Sequence, residues 1–223
     1  MSSVFITGTG TDVGKTYVTA CVIKAMREKG IQAGYYKAAV SGAASIAESD
    51  AGFVKHFCNL PQEDESLLSY LYETPVSPHL IAEKEQRPVS LDVVKRDFLK
   101  VAAQHEVMVM EGSGGILCPL TRHADGRLLM LEEVIQALAL PCLVVADAGL
   151  GTINATVLTI EHLQRVQIPI VGVILNHYED TWMHRDNWQV IEALSGVPVV
   201  ATVATNGALQ VYRDFLGLEV DHD

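Results

Sequence analysis

At 223 residues the chain is long enough to bury a substantial core as one α/β domain, and 49% apolar with 19% charged residues argues against disorder. A net charge of −11 at pH 7 speaks against a general nucleic-acid-binding face, although an acidic protein can still hold a local basic pocket for phosphate. No stretch approaches the roughly eighteen uninterrupted apolar residues of a membrane span, so no membrane partner is expected.

The apolar run Val4-Phe5-Ile6 suits a short buried strand, and it meets Gly8-Thr9-Gly10-Thr11-Asp12-Val13-Gly14-Lys15-Thr16. Residues 17–29 then continue with helical spacing. A strand, a glycine-rich turn and a helix start aim peptide N–H groups and the positive end of a helix dipole at one spot, which suits polyphosphate. Gly10, Thr11, Asp12, Val13 and Gly14 would supply the cradle, Lys15 a mobile charge for the outer phosphates, and the Thr16 hydroxyl a ligand for Mg²⁺. The generic motif wants glycine where Thr9 stands; counted from Gly8, the loop is one residue longer.

Gly30 supplies a helix stop, and residues 33–36 read as a second strand ending at Lys37. Lys37 and Ser41 thus fall just past a strand's carboxyl end, where open α/β sheets bind ligands. Ser49 or Asp50 caps a following helix with Phe53, Val54 and Phe57 inward, and Asp50 is open to two readings, a cap or a metal-side carboxylate. Residues 59–88, broken by Pro61, Pro75, Pro78 and Pro88, read as an irregular excursion with one helix near 77–82. His79 there reads as structural. A helix over 90–103 buries Val93, Val94, Phe98, Val101 and Ala102. The continuous apolar strand 107–110 then ends in Glu111-Gly112-Ser113-Gly114-Gly115, and Glu111 is the strongest acidic candidate in the chain.

The alternation continues with a helix over 131–138, a strand over 142–146, a helix over 153–166 and a strand over 170–175. A helix over 185–194, a strand over 197–203 and a helix over 207–216 follow, then a short acidic tail. Alternation of this kind means parallel βα units, so the expected architecture is a single P-loop NTPase-like domain over 1–223, with a mostly parallel sheet and helices on both faces. Cys21, Cys58, Cys118 and Cys142 form no C-x-x-C pair, which signals neither a zinc site nor a disulfide framework. With the first strand so close to Met1, a secretory signal has no room and the cytoplasm is the expected location.

Strand-end loops bring Lys15, Thr16, Lys37, Ser41, Asp50, Glu111 and Asn176 to one expected crevice, an outfit for phosphoryl transfer by positioning and charge stabilisation. No Ser-His-Asp set or metal-spaced histidine cluster competes with it.

The long loop from Gly8 to Thr16, the Lys37 stretch, Ser49-Asp50-Ala51, Ser77-Pro78-His79, Glu111-Gly112-Ser113-Gly114-Gly115, Gly151-Thr152-Ile153-Asn154 and Asn176 together resemble the dethiobiotin synthetase family over nearly the whole chain. The resemblance implies an ATP- and Mg²⁺-dependent ligase that carboxylates 7,8-diaminononanoate with CO₂ or bicarbonate, through a carbamate and its phosphoric anhydride. It implies that Lys15 contacts the phosphates and that Thr16, Asp50 and Glu111 hold Mg²⁺. Thr11, Lys37 and Ser41 would face the carbamate, with Gly114 also on the substrate side, and Asn176 would read the adenine. A homodimer is implied too, with Leu150, Gly151 and Asn154 binding the substrate carboxylate of the neighbouring subunit. Departures from the family are Ala38 in place of proline, Ser113 in place of alanine, a short segment between Ser41 and Asp50, and no proline in Val203-Ala204-Thr205. Two rival readings are a ParA/MinD-like ATPase switch, which would carry a lysine where Gly10 and Thr11 stand, and a cobyrinate or cobyrate synthase, which needs a further glutaminase domain.

Overall fold

A computed structural model describes residues 2–220, so Asp221, His222 and Asp223 of the acidic tail lie outside the described residues. Val4, Phe5 and Ile6 are all fully buried because β1 (Ser2–Gly8) lies inside a sheet covered on both faces. The chain continues through α1 (Lys15–Glu28), β2 (Ala33–Ser41), α2 (Asp50–Cys58), β3 (Leu68–Tyr72), α3 (Pro78–Lys84), α4 (Leu91–Ala102) and β4 (Val107–Glu111). A small antiparallel pair, β5 (Pro119–Arg122) and β6 (Leu128–Met130), precedes α5 (Leu131–Ala137), β7 (Cys142–Asp147) and α6 (Thr152–Arg165). Then come β8 (Ile170–Asn176), α7 (Trp182–Ser195), β9 (Val199–Val203) and β10 (Leu209–Val211).

The main sheet runs β10-β9-β8-β7-β1-β4-β2-β3, parallel throughout except for β10 against β9. Side chains alternate along each strand, so successive residues feed two separate cores. Phe5, Tyr36, Met108, Met110 and Val144 pack with α3 to α7, whereas Val4, Ile6, Tyr35, Val109 and Val145 pack with α1 and α2. The fold is therefore the α/β arrangement expected, with helices on both faces. No helix among the described residues is long and apolar enough to cross a membrane.

Several expected elements are corrected. Residues 207–216 form no helix: Gly207, at φ 85, turns the chain, and Leu209 and Val211 alternate against β9 as a strand. The apolar spacing there fits a period of two as well as a helical one, and pairing with β9 decides it. The excursion over 59–88 contains β3, which pairs with β2. β2 itself does not stop at Lys37 but runs on through Ala38, Ala39 and Val40 to Ser41, so Lys37 lies inside the strand. On α2, Val54 faces inward, but Phe53 is 43% exposed and Phe57 half-buried. α7 starts at Trp182, earlier than expected, because the Thr181 hydroxyl caps it by accepting from His184 N at 3.2 Å. All four cysteines are free and buried.

Gln62 completes the sheet where a strand is missing. β3 reaches β2 only from Lys37 onward, which leaves the backbone of Tyr35 without a neighbour on that side. The Gln62 amide fills the place, its Oε1 accepting from Tyr35 N at 2.7 Å and its Nε2 donating to Tyr35 O at 2.9 Å. Gln62→Ala strands two buried backbone groups and is expected to destabilise the protein by about 2 kcal/mol or more. Urea unfolding midpoints at unchanged m-value measure it.

Candidate active site

β1 ends at Gly8 and α1 starts at Lys15, with Gly14 at φ 85 in the N-cap place and no side chain capping the helix. The first-turn N–H groups are thus left for an anion. Gly14 is required twice over: a side chain would suffer the positive φ, and its Cβ would come within 2.1 Å of Asn176 Nδ2. Asn176, fully buried at the end of β8, donates from Nδ2 to Val13 O at 3.0 Å and so supports the loop from beneath. Its Oδ1 has no hydrogen-bond partner among the described residues.

Four side chains from four elements meet at the carboxyl end of β4. Glu111 is only 1% exposed, and its Oε1 accepts from Thr16 Oγ1 at 2.7 Å and from Lys37 Nζ at 2.8 Å. Lys37 also donates to Asp50 Oδ2 at 2.5 Å. Ser49 caps α2, accepting from Gly52 N at 3.3 Å, so the Asp50 carboxylate is not spent on capping and points to Lys37. That removes the capping reading of Asp50. The register places Lys37 directly beside Glu111 across β2 and β4, which is why a buried lysine and a buried glutamate find each other.

Burial pulls the Lys37 ammonium down, but the Glu111 and Asp50 carboxylates more than offset it and hold its pKa above the ordinary lysine value. Burial and the Lys37 charge set Lys15 the other way, below that value, against the opposing pull of Glu111, Asp50 and Asp12. Among the described residues Lys15 Nζ donates only to a neutral carbonyl, Gly10 O, at 2.8 Å. The two lysines therefore differ in role: one is held by carboxylates, the other is free to meet an incoming anion.

Above this cluster opens a cavity of about 560 Å³ that Thr11, Asp12, Gly14, Lys15, Thr16, Lys37, Ser41, Asp50, Glu111 and Gly114 all line. Gly10 contributes its carbonyl to Lys15, and Val13 its carbonyl to Asn176. The Ser113 hydroxyl donates to Ala39 O at 2.7 Å, tying the loop after β4 to β2. A larger recess of about 710 Å³ lies at the other end of the strands, and although Arg27, Glu63, Glu65, Asp97 and Lys100 line it, none of these is a fully buried charge and no two of them form an ion pair with one another. Among the described residues no three His, Cys, Asp or Glu side chains are placed to hold a metal ion by themselves. Thr16, Asp50 and Glu111 offer instead two carboxylates and a hydroxyl, the hard oxygen set that suits Mg²⁺ when substrate phosphates and water complete the shell.

Not every expected site residue joins this cavity. Leu150, Gly151 and Asn154 line a separate recess of about 460 Å³ with Leu158, Asn187 and Leu194, and Leu150 is 94% exposed. Within one chain they do not reach Lys37. His79 contacts Ser77 and does not line the cavity. Sequence reasoning missed Tyr35, whose fully buried hydroxyl donates to Glu111 Oε2 at 2.9 Å. Burial, and after it the Glu111 and Asp50 charges, raises this phenol well above its ordinary pKa, so it remains the donor. The available signal was period two, since Tyr35 precedes Lys37 by two residues and shares its face. In the strand-end loop after β8, His177 Nδ1 lies 2.7 Å from Asp147 Oδ2 beside Asn176.

The family model described as AAA domain matches residues 2–211. The chain is 44% identical over 202 residues to an ATP-dependent dethiobiotin synthetase of Brachyspira hyodysenteriae, covering 90% of this chain and 91% of that one. It is 39% identical over 213 residues to the ATP-dependent dethiobiotin synthetase of Clostridium botulinum, with 93% of each chain covered. Among solved structures it is similar to a ParA family ATPase from Chlorobium tepidum, at TM-score 0.54 and 15% identity over 92% of this chain and 85% of that one. The Aquifex aeolicus MinC:MinD cell division complex gives TM-score 0.55 at 13% identity, over 92% and 81%. These two likenesses are of fold alone.

Removing the Lys37 charge leaves Glu111 buried without a cation. Lys37→Met is expected to destabilise by about 3–5 kcal/mol, and adding Glu111→Gln should recover much of that loss. Urea unfolding of the two single variants and the double variant measures the coupling.

Proposed function

The chain belongs to the dethiobiotin synthetase family, and on that premise we propose how its own side chains carry the reaction. The reaction is the ATP-dependent synthesis of dethiobiotin from 7,8-diaminononanoate and CO₂. One amine adds to CO₂ and forms a carbamate. A carbamate oxygen takes the γ-phosphoryl group of ATP, leaving ADP, and the second amine then attacks the activated carbonyl carbon. Phosphate departs as the new C–N bond closes the ureido ring.

The physical obstacle is the approach of an anionic carbamate to an anionic phosphoryl group. At about 4 Å and an effective dielectric of about 20, one such charge pair repels by roughly 4 kcal/mol, or about a thousandfold in rate. Lys37 at the cavity floor and Lys15 at the loop answer this. Lys15 binds the outer phosphates, and Lys37 places its ammonium where carbamate and phosphoryl group meet, with Thr11 and Ser41 donating hydroxyl hydrogen bonds and Gly114 allowing close approach. Gly10, Asp12, Val13 and Gly14 cradle the phosphates through their backbone. Thr16, Asp50 and Glu111 would hold Mg²⁺, which when bound supplies further positive charge against the phosphates. The observation that carries this reading is the Lys37 ammonium held between Asp50 and Glu111 beside the loop.

Asn176 reads the adenine, a role its buried and unpartnered Oδ1 supports. We further propose a homodimer of single-domain subunits working in the cytoplasm. In it Leu150, Gly151 and Asn154 bind the substrate carboxylate in the neighbour's site, and the exposed leucines 150, 158 and 194 around that recess favour such a contact. A ParA/MinD-like switch has no comparable support, since those likenesses extend only to fold.

Purified protein is expected to release ADP and phosphate in step with dethiobiotin only when the diamine, bicarbonate and Mg²⁺ are all present. Diamine-independent hydrolysis alone would count against the reaction. Lys37→Met should lower kcat about a thousandfold while ATP binding by calorimetry persists. Lys37→Met subunits mixed with Asn154→Ala subunits should regain about a quarter of wild-type activity, because half the dimers then carry one intact site. No recovery in demonstrated heterodimers would show each subunit to be self-contained.

A further inference from the structure

The two oxygens of Glu111 are used unequally. Oε1 receives both Thr16 and Lys37, which line the cavity, whereas Oε2 receives Tyr35 Oη at 2.9 Å, which does not line it. The strands make this division. Parallel pairing sets Tyr35 beside Val109 and Lys37 beside Glu111, so all four share the face toward α1. From one pleat upstream, the phenol of Tyr35 reaches forward under the carboxylate, while Lys37 and Thr16 take it from above. Tyr35 cannot drift, because its ring is fully buried and Gln62 grips its backbone N–H and C=O together.

We propose that Tyr35 is a positioning residue for the metal-side carboxylate: by donating to Glu111 Oε2 it fixes the rotation of the carboxylate and so presents Oε1, beside Thr16, to a divalent cation. This rests on the reading of Thr16, Asp50 and Glu111 as the Mg²⁺ set. A glutamate terminus otherwise rotates through a broad, roughly two-fold range, and either oxygen, or both, can meet a cation. Mg²⁺ is small, demands near-octahedral geometry and keeps its waters, so one fixed oxygen suits it better than a mobile carboxylate. Groups that hold a ligand from behind in this way typically change metal affinity or activity by about 10–100-fold when removed.

Tyr35→Phe removes one oxygen and keeps the buried ring, so the fold should survive, which thermal melting checks. In the enzyme–ADP complex, Mn²⁺ affinity measured by electron paramagnetic resonance is expected to fall about tenfold. The Mg²⁺ concentration for half-maximal turnover should rise by a similar factor, with kcat largely restored at saturating Mg²⁺. Glu111→Gln, measured alongside, should weaken Mn²⁺ binding at least as much. If Glu111→Gln weakens it and Tyr35→Phe does not, the role of Tyr35 is overturned while the metal set stands. If neither variant changes Mn²⁺ affinity, the metal set itself is wrong. A kcat deficit in Tyr35→Phe that excess Mg²⁺ leaves in place, with Mn²⁺ affinity unchanged, also overturns the proposal.

Discussion

A lysine ammonium buried against a buried carboxylate is costly to assemble, because Lys37 and Glu111 both give up the water that each must then replace for the other, while Asp50 stays half exposed. Lys37, Asp50 and Glu111 manage it because three separate elements converge at the carboxyl end of the sheet, and because Thr16 and Tyr35 donate two further hydrogen bonds to Glu111. The order of the strands is what makes this possible. With β4 lying between β1 and β2, Glu111 has the phosphate loop on one side and Lys37 on the other. The charged cluster is thus a consequence of sheet topology before it is a matter of chemistry.

The loop and the cluster depend on each other through contacts distant in sequence. Thr16 and Glu111 stand 95 residues apart, and Asn176 reaches Val13 across 163. The glycine at position 14 permits the left-handed turn and also leaves room for Asn176, so one residue type meets a local and a distant demand at once. Lys15 then lies folded back on Gly10, and Gly8 makes that possible, since a Cβ there would stand 2.8 Å from the Lys15 side chain. Within this longer loop Asp12 takes a positive-φ conformation.

A second division runs through the molecule. The recess around Leu150 and Asn154 is apolar and exposed, whereas the cavity over Lys37 is polar and charged, and no described side chain bridges them.

The residues around the loop, and the α/β class, were legible in the sequence because both are local properties. Glycines, a Lys-Thr pair and a strand-to-helix switch declare a phosphate cradle within nine residues, and apolar runs alternating with helical spacing declare parallel units. Glu111 and Lys37 were legible as candidates for the same reason, each standing near a strand's end. Their partners were not. Tyr35 and Gln62 carry no motif; what matters is which strand lies beside β2 and where β3 begins, and pairing of distant segments fixes both. Residues 209–211 show the same limit, since their spacing admits helix or strand until β9 offers an edge. The sequence by itself thus determined which residues could do the chemistry, because short-range sterics and periodicity are written residue by residue. Only the tertiary structure decided which of them meet, because hydrogen bonds and buried charge are satisfied across the sheet and not along the chain.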